Sequence, residues 1–217
     1  MKALVLLAVT WFGALVPASA DLTLTQRVEG GGQSGDQIIR IKGDRARCDI
    51  GPAISLITDR KSGESITLAH SQKGFLTISP ERAKAMLEQM RKASQVTEPP
   101  KLVAAGKQEK VGEYACDVFT TNLGAVKVTY WIAKEFPNYQ AVLSELQVIE
   151  GGALSATAAG LMPPPEDFPG MKIKTLIEKG DQKVTTTLVS VKEEPVDPAI
   201  FEIPKDYKAL PSPPEKP

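Results

Sequence analysis

The chain has 217 residues, 26 basic and 26 acidic side chains, and one histidine. This balanced charge gives no general attraction to nucleic acid or to anionic lipid, so nucleic acid is not expected as a partner. The length is that of one domain with a sizeable core, and it is short for two.

The first segment is typical of a secretory signal peptide. Lys2 supplies a positive charge, residues 3–16 form an apolar run, and Ala18-Ser19-Ala20 has the small residues of a cleavage site. We therefore expect cleavage after Ala20 and a mature protein that is periplasmic or secreted. The apolar run is shorter than the roughly 20 residues that a membrane-spanning helix needs, so no span is expected in the mature chain.

The next region alternates apolar and polar residues with a period of two, which predicts strands with one buried face. A first strand surrounds Leu22 and Leu24. The strands predicted after it are residues 36–42, 45–50, 53–58, 65–70 and 73–78. Short turns between them predict an antiparallel meander.

Residues 30–35 (GGGQSG) satisfy the dinucleotide-binding pattern G-x-G-x-x-G. That motif requires a strand that leads into a helix, whose first turn holds the pyrophosphate. Here the glycines precede the strand-forming run 37–41 (QIIRI) instead. We therefore interpret them as a hairpin loop.

The period changes after Ser79, which is placed to cap a helix that begins at Pro80. The apolar stripe of this amphipathic helix comprises Ala83, Met86, Leu87, Met90 and Ala93. An extended connector over residues 97–101 follows. Strands are then predicted over residues 114–121 and 125–133, with a turn at 122–124.

A second helical pattern begins at Asn138, and glycines interrupt it at 151–152 before a small-residue run over 153–160. Its apolar residues are Tyr139, Val142, Leu143, Leu146 and Ile149. One interpretation makes this region part of the core that covers the sheet. The other makes it a displaceable cover over a groove for an apolar ligand. Strands at 171–178 and 183–192 precede a disordered, proline-rich tail at 211–217.

Cys48 and Cys116 are the only cysteines. In an oxidising compartment they either pair or remain separate buried thiols, and we predict that they pair. Such a disulfide closes a long loop, with an expected stabilisation of about 4 kcal/mol. Neither cysteine has close metal-ligand spacing, so no metal is expected.

His70, the single histidine, has no nucleophile or orienting group that the sequence identifies, and we expect it on the surface. No catalytic residues and no cofactor are predicted. The chain is therefore not expected to be an enzyme.

Four phrases resemble a known family: residues 41–49 (IKGDRARCD), 112–118 (GEYACDV), 130–134 (YWIAK) and 197–207 (DPAIFEIPKDY). They are similar to the secreted bacterial domain-of-unknown-function family 4412, which is itself similar to the lipoprotein-carrier superfamily of LolA, LppX and RseB. The resemblance implies a mainly β, α+β fold. Its strongly curved antiparallel sheet would form an unclosed half-barrel over residues 21–210, with helices covering the concave face.

The carrier branch of that superfamily receives acyl chains in the concavity, so the resemblance implies an apolar or lipid-like ligand in a groove between sheet and helices. The alternative is an envelope interaction or sensor module, with an envelope protein as partner and a groove filled by its own helices. The candidate groove residues are Met86, Leu87, Met90, Trp131, Leu143 and Leu146.

Overall fold

The computed structural model describes residues 21–94, 100–150 and 162–211. The predicted signal peptide, the small-residue run 153–160 and nearly all of the tail lie outside the described residues. The described chain forms one twelve-stranded sheet and two α-helices, α1 (Pro80–Ser94) and α2 (Tyr139–Glu150). The strands are β1 (Leu22–Gly30), β2 (Gln33–Lys42), β3 (Arg45–Ile50), β4 (Ile54–Asp59), β5 (Ser65–Ala69), β6 (Gly74–Ile78), β7 (Val103–Val111), β8 (Tyr114–Leu123), β9 (Val126–Ala133), β10 (Met171–Lys179), β11 (Gln182–Glu193) and β12 (Lys208–Ala209).

The sheet is open, with β12 at one edge and β7 at the other. Its order is β12-β6-β5-β4-β3-β2-β1-β11-β10-β9-β8-β7. All neighbouring strands are antiparallel except β12 and β6, which are parallel. The predicted meander is therefore confirmed, and short turns explain it because they connect only antiparallel neighbours.

The sheet curves around α2. Val142 and Val148 of this helix are buried in a single hydrophobic cluster with Leu24 and Ile39 from one half of the sheet and Val118 from the other. The contributing strands β2 and β8 are separated by β1, β11, β10 and β9. A flat sheet would hold such strands roughly 24 Å apart, since neighbours are spaced by about 4.8 Å. The shared cluster confirms the predicted unclosed half-barrel.

Helix α1 begins where its sequence predicts. The Ser79 hydroxyl accepts a hydrogen bond from the Arg82 amide at 3.3 Å, and Pro80 occupies the first position. On its apolar stripe Ala83 is fully buried, whereas Met86 is 39% exposed. The capping prediction is confirmed.

Two strands were not expected from the sequence. Strand β7 has eight exposed residues out of nine and therefore lacks the apolar alternation that reveals a half-buried strand. It pairs with β8 around an irregularity between Ala104 and Gln108. Strand β12 has only two residues, and its pairing with β6 depends on the distant folding of the C-terminal segment.

The C-terminal segment covers the opposite face of β3–β5. Ile57 and Leu68 form a second hydrophobic cluster there with Val196 and Phe201. Two arginines of β3 fasten this segment by its backbone: Arg45 donates to the Phe201 carbonyl at 2.7 Å and Arg47 to the Ile200 carbonyl at 2.7 Å. The C-terminal segment therefore covers the face of β3–β5 that is opposite to α2.

The predicted disulfide is wrong, because Cys48 and Cys116 are free thiols in the structure. Cys48 lies on β3 and Cys116 on β8, which are six strand spacings apart in the sheet order. Although both border the cluster around α2, a disulfide requires Cα atoms within about 7 Å of each other. Two cysteines in strands do not reveal by sequence that their strands lie in opposite halves of the sheet.

Both thiols should therefore react when the protein is unfolded without reductant. We expect two maleimide adducts per chain by intact mass in urea, and much slower labelling of the folded protein. Burial raises the pKa of both Cys48 and Cys116, so little thiolate is present in the fold. Unfolded protein that takes up no label would contradict the structure and restore the disulfide.

Candidate functional site

A groove of about 330 Å³ opens where the β1–β2 turn and the β3–β4 turn meet. Its lining residues are Val28, Gly32, Ser34, Gly35, Asp36, Gln37, Ile50, Gly51, Ala53 and Ile54. This volume is at the lower end of the range of small-molecule sites.

The groove continues the face of the sheet that α2 covers. Val28 lies opposite Gly35, Gln37 lies opposite Ile50, and Ile50 lies opposite Ile54. These pairings run in continuous register, and side chains alternate between the two faces of a strand. Val28, Gly35, Gln37, Ile50 and Ile54 therefore share a face with the β1, β2 and β3 members of the cluster around α2. Ser34 and Asp36 also border the groove, but their side chains alternate onto the opposite face of β2.

Exposed isoleucines form the apolar floor of the groove. Ile50 and Ile54 face each other across β3 and β4 and are 36% and 41% exposed. Their apolar surface lies at the end of a face that is buried beneath α2 farther along the same strands.

Glycines keep the groove open. A Cβ added at Gly35 or Gly51 would meet no atom of the described structure within 4 Å. At the end of β1, Gly30 lies so close to the Lys183 backbone that a side chain would clash with it. A Cβ there would lie 2.0 Å from the Lys183 carbonyl oxygen. The glycine-rich run thus forms a hairpin, in agreement with its sequence interpretation, and its glycines leave one wall of the groove without side chains.

The predicted groove residues lie in three different environments. Met86 is exposed on α1, and the side chains of Leu87 and Met90 lie outside the described residues. Leu143 and Leu146 are partly buried on α2 against the central cluster, where Trp131 also lies. Their assignment as ligand contacts stays a prediction.

Two charged side chains contact Trp131, one at the edge of its ring system and one at its face. Its indole N–H donates to the Glu109 carboxylate at 2.7 Å, and the Lys174 ammonium lies 4.8 Å from the ring centroid. Lys107 and Trp131 together lower the pKa of Glu109. With 8% exposure, Trp131 presents almost no surface to a ligand in this conformation.

His70 is not a free surface residue, so that expectation is wrong. Its Nε2 lies 2.7 Å from the Ser55 hydroxyl and its Nδ1 lies 2.7 Å from the Tyr207 hydroxyl. Ser55 is 1% exposed and donates to Asp49 at 2.5 Å. These four side chains form a network that joins β3, β4 and the C-terminal segment. The sequence concealed it because Tyr207 lies 137 residues from His70.

The proton positions in this network oppose nucleophilic catalysis. The single hydroxyl proton of Ser55 is donated to Asp49, so the His70 Nε2 must itself donate to the serine oxygen. Arg47 donates to the same oxygen at 3.0 Å. A catalytic histidine would instead accept the serine proton while a carboxylate oriented its other nitrogen. These hydrogen bonds hold the C-terminal segment against β3 and β4 through Tyr207 and His70, and the Ser55 hydroxyl is buried among them.

Asp49 is the charged centre of this network. Burial alone would raise its pKa, but the hydrogen bonds from Ser55 and Arg47 outweigh that effect, and a contact with Arg40 at 2.6 Å adds to them. The pKa of Asp49 therefore lies below its ordinary value of 3.8. The carboxylate is ionised and paired at neutral pH.

No cluster of three or more His, Cys, Asp or Glu side chains within residues 21–94, 100–150 and 162–211 is arranged to hold a metal ion. Of the described helices, neither has the length and apolar character that spanning a membrane requires.

A protein-family model described as "Domain of unknown function (DUF4412)" matches residues 26–207. The match confirms the resemblance inferred from the four sequence phrases. No curated protein matches the chain.

Solved structures show distant likeness. The chain is similar to PNGF-II with 11% identity and a TM-score of 0.42, over 88% of this chain but only 31% of that one. It is similar to the Mycobacterium tuberculosis lipoprotein LppX with 11% identity and a TM-score of 0.38, over 82% of this chain and 88% of that one. It is also similar to MucB in complex with MucA(peri), with 9% identity and a TM-score of 0.37, over 87% of this chain and 56% of that one. Likeness this distant carries no information about function.

Acid should weaken the network around Asp49. Because its pKa is lowered in the fold, its stabilisation is complete above about pH 4 and is lost as the pH falls through the folded-state pKa. We expect Asp49→Asn to lower the free energy of unfolding at neutral pH by about 1–3 kcal/mol. The difference from wild type should shrink on acidification, as measured by urea unfolding between about pH 6 and pH 3.

The control for this prediction is Glu166→Gln, in an exposed turn. A difference for Asp49→Asn that is independent of pH would contradict this assignment.

Proposed function

The chain belongs to the DUF4412 family, and we propose that it is an exported protein that binds an apolar or lipid-like ligand in the groove beside α2. The facing pair Ile50 and Ile54 carries this proposal, because it exposes apolar surface in a glycine-walled groove on the face that α2 otherwise buries. Export to the periplasm or beyond rests on the residues that precede Asp21. A single domain over residues 21–210 is supported by the membership of all twelve strands in one sheet.

We assign no catalytic step to this protein. The serine nearest to the single histidine is 1% exposed and donates its proton to a carboxylate. A binding role requires neither a nucleophile nor a base, and the groove supplies the apolar floor and the few polar groups that binding does require.

A second candidate function is an envelope interaction or sensor module without a ligand. The observation that favours it is the filling of the space beneath α2, where Val142, Val148 and Trp131 are at most 8% exposed. In this alternative the space beneath α2 stays permanently filled by the protein's own side chains, and the protein acts by contact with an envelope protein rather than by carrying a lipid.

Filling the groove should abolish uptake of an apolar fluorescent probe. Gly35 has an ordinary negative φ and open space above it, so Gly35→Leu should fold normally while its side chain occupies the groove. We expect wild type to enhance the fluorescence of N-phenyl-1-naphthylamine and Gly35→Leu to lose at least about tenfold in affinity.

The matched control is Val189→Ser, which removes an apolar side chain that is 58% exposed outside the groove. It should bind the probe like wild type. If wild type takes up no probe, or if Gly35→Leu binds as well as wild type while Val189→Ser does not, the ligand site is not this groove.

A charged substitution on α2 tests whether this helix is displaceable or is a permanent part of the core. Leu146 is partly buried against the central cluster. If α2 is displaceable, Leu146→Glu should change probe uptake while the β-sheet signal in circular dichroism is retained, and this is the result that we expect. If α2 is core, the buried, unpaired charge costs several kcal/mol, which is much of the stability of a domain. Early melting of the variant together with negligible uptake by wild type would favour the interaction module.

A further inference from the structure

The groove offers almost no charge to a ligand. Of its lining residues only Asp36 is ionisable, and its carboxylate is paired with Arg27 at 2.5 Å. Glu29 lies directly opposite Ser34 in the β1–β2 hairpin, and the Arg27 guanidinium interacts with it as well. Arg27, Glu29 and Asp36 alternate onto the face opposite to Val28 and Gly35. The groove face that carries Ile50 and Ile54 therefore presents no charged side chain from the lining residues.

The cations on neighbouring strands are occupied elsewhere. Arg40 and Arg47 both pair with Asp49, on the face of β2 and β3 that points away from the groove. The Lys183 backbone approaches the hairpin at Gly30, but its ammonium pairs with Glu178 at 2.9 Å. No positive charge among these described residues is available to an anionic ligand in the groove.

The polar groups of the groove are suited to an uncharged head. Gln37 donates its amide to the Cys48 sulfur at 2.9 Å, which leaves its carboxamide oxygen as a hydrogen-bond acceptor. Ser34 alternates onto the other face of β2, so the Gln37 carboxamide is the polar side-chain group that this face of the groove offers. A hydroxyl group of a ligand matches this acceptor, whereas a carboxylate would lose water without gaining a cation, which is costly.

We propose that the groove selects an uncharged amphiphile with one hydrocarbon chain and a hydroxyl head, of the monoacylglycerol class, over an anionic fatty acid of the same chain length. This inference rests on the proposed function, since it assigns the ligand class of the same groove. The hydrocarbon chain lies on Ile50 and Ile54, and the head lies against the Gln37 carboxamide. The groove selects against an anionic head because it offers no cation to pair with it, and not because the head is too large to fit.

Competition against N-phenyl-1-naphthylamine at neutral pH tests this selection with three ligands of equal chain length. The ligands are monolauroylglycerol, laurate and dodecyltrimethylammonium, all used below their micelle concentrations. We expect laurate to bind wild type at least about tenfold more weakly than monolauroylglycerol, and the cation to bind no more tightly than the neutral ligand.

Adding a positive charge should reverse the discrimination. Ala53 is exposed at the groove, and a lysine there would place an ammonium near the rim. We expect Ala53→Lys to improve the affinity for laurate about tenfold relative to the affinity for monolauroylglycerol. Ala53→Gln has a similar length without the charge, so any effect of length on both ligands appears in it and the gain for laurate should appear with lysine alone.

The outcomes separate the two proposals. If neither the probe nor any of the three ligands binds wild type, the proposed function fails. If laurate or the cation binds wild type as tightly as monolauroylglycerol, or if Ala53→Lys gives laurate no advantage over Ala53→Gln, binding in the groove stands but its selection for an uncharged head is overturned.

Discussion

Burial of one long apolar face against a single short helix is the constraint that shapes this molecule. The sheet has twelve strands, whereas α2 has only twelve residues and spans about 18 Å. Curvature brings residues of β1, β2, β8 and β9 to the same helix, but the helix cannot cover the ends of β3 and β4 as well. Ile50 and Ile54 are left uncovered for this reason, and glycines at Gly35 and Gly51 prevent the sheet from filling the space with its own side chains.

Much of the architecture follows from local sequence signals. The strands before α1 alternate clearly, their turns are short, and Ser79 with Pro80 determines where α1 begins. These signals act over a few residues, so a single sequence reveals them. The apolar stripe of α2 likewise predicts a helix that buries one side, and the structure buries Val142 of that stripe. Val148, which the predicted stripe did not include, is buried as well. The isoleucine pair in the groove also depends on a local feature, because the register of the neighbouring strands β3 and β4 sets Ile50 opposite Ile54.

What the sequence did not reveal depends on contacts between distant parts of the chain. Strand β7 is exposed on both sides and owes its existence to pairing with β8. The two cysteines look alike in their strands, yet the order of the sheet separates them. His70 acquires its partners only when the C-terminal segment returns across β3–β5 and brings Tyr207 to it. In each case tertiary structure, which periodicity does not encode, determines the environment.

The size of the groove limits how tightly it binds. Fully burying an isoleucine contributes about 1.5–3 kcal/mol. With 36% and 41% of their surfaces exposed, Ile50 and Ile54 together have about 1–2 kcal/mol left to contribute. A micromolar complex requires about 8 kcal/mol after the entropy cost of association. Most of the driving force must therefore come from the hydrocarbon of the ligand itself, at about 0.8 kcal/mol for each buried methylene group. The open groove by itself favours weak, readily reversible binding, and tight binding requires α2 to move and expose more of the face beneath it.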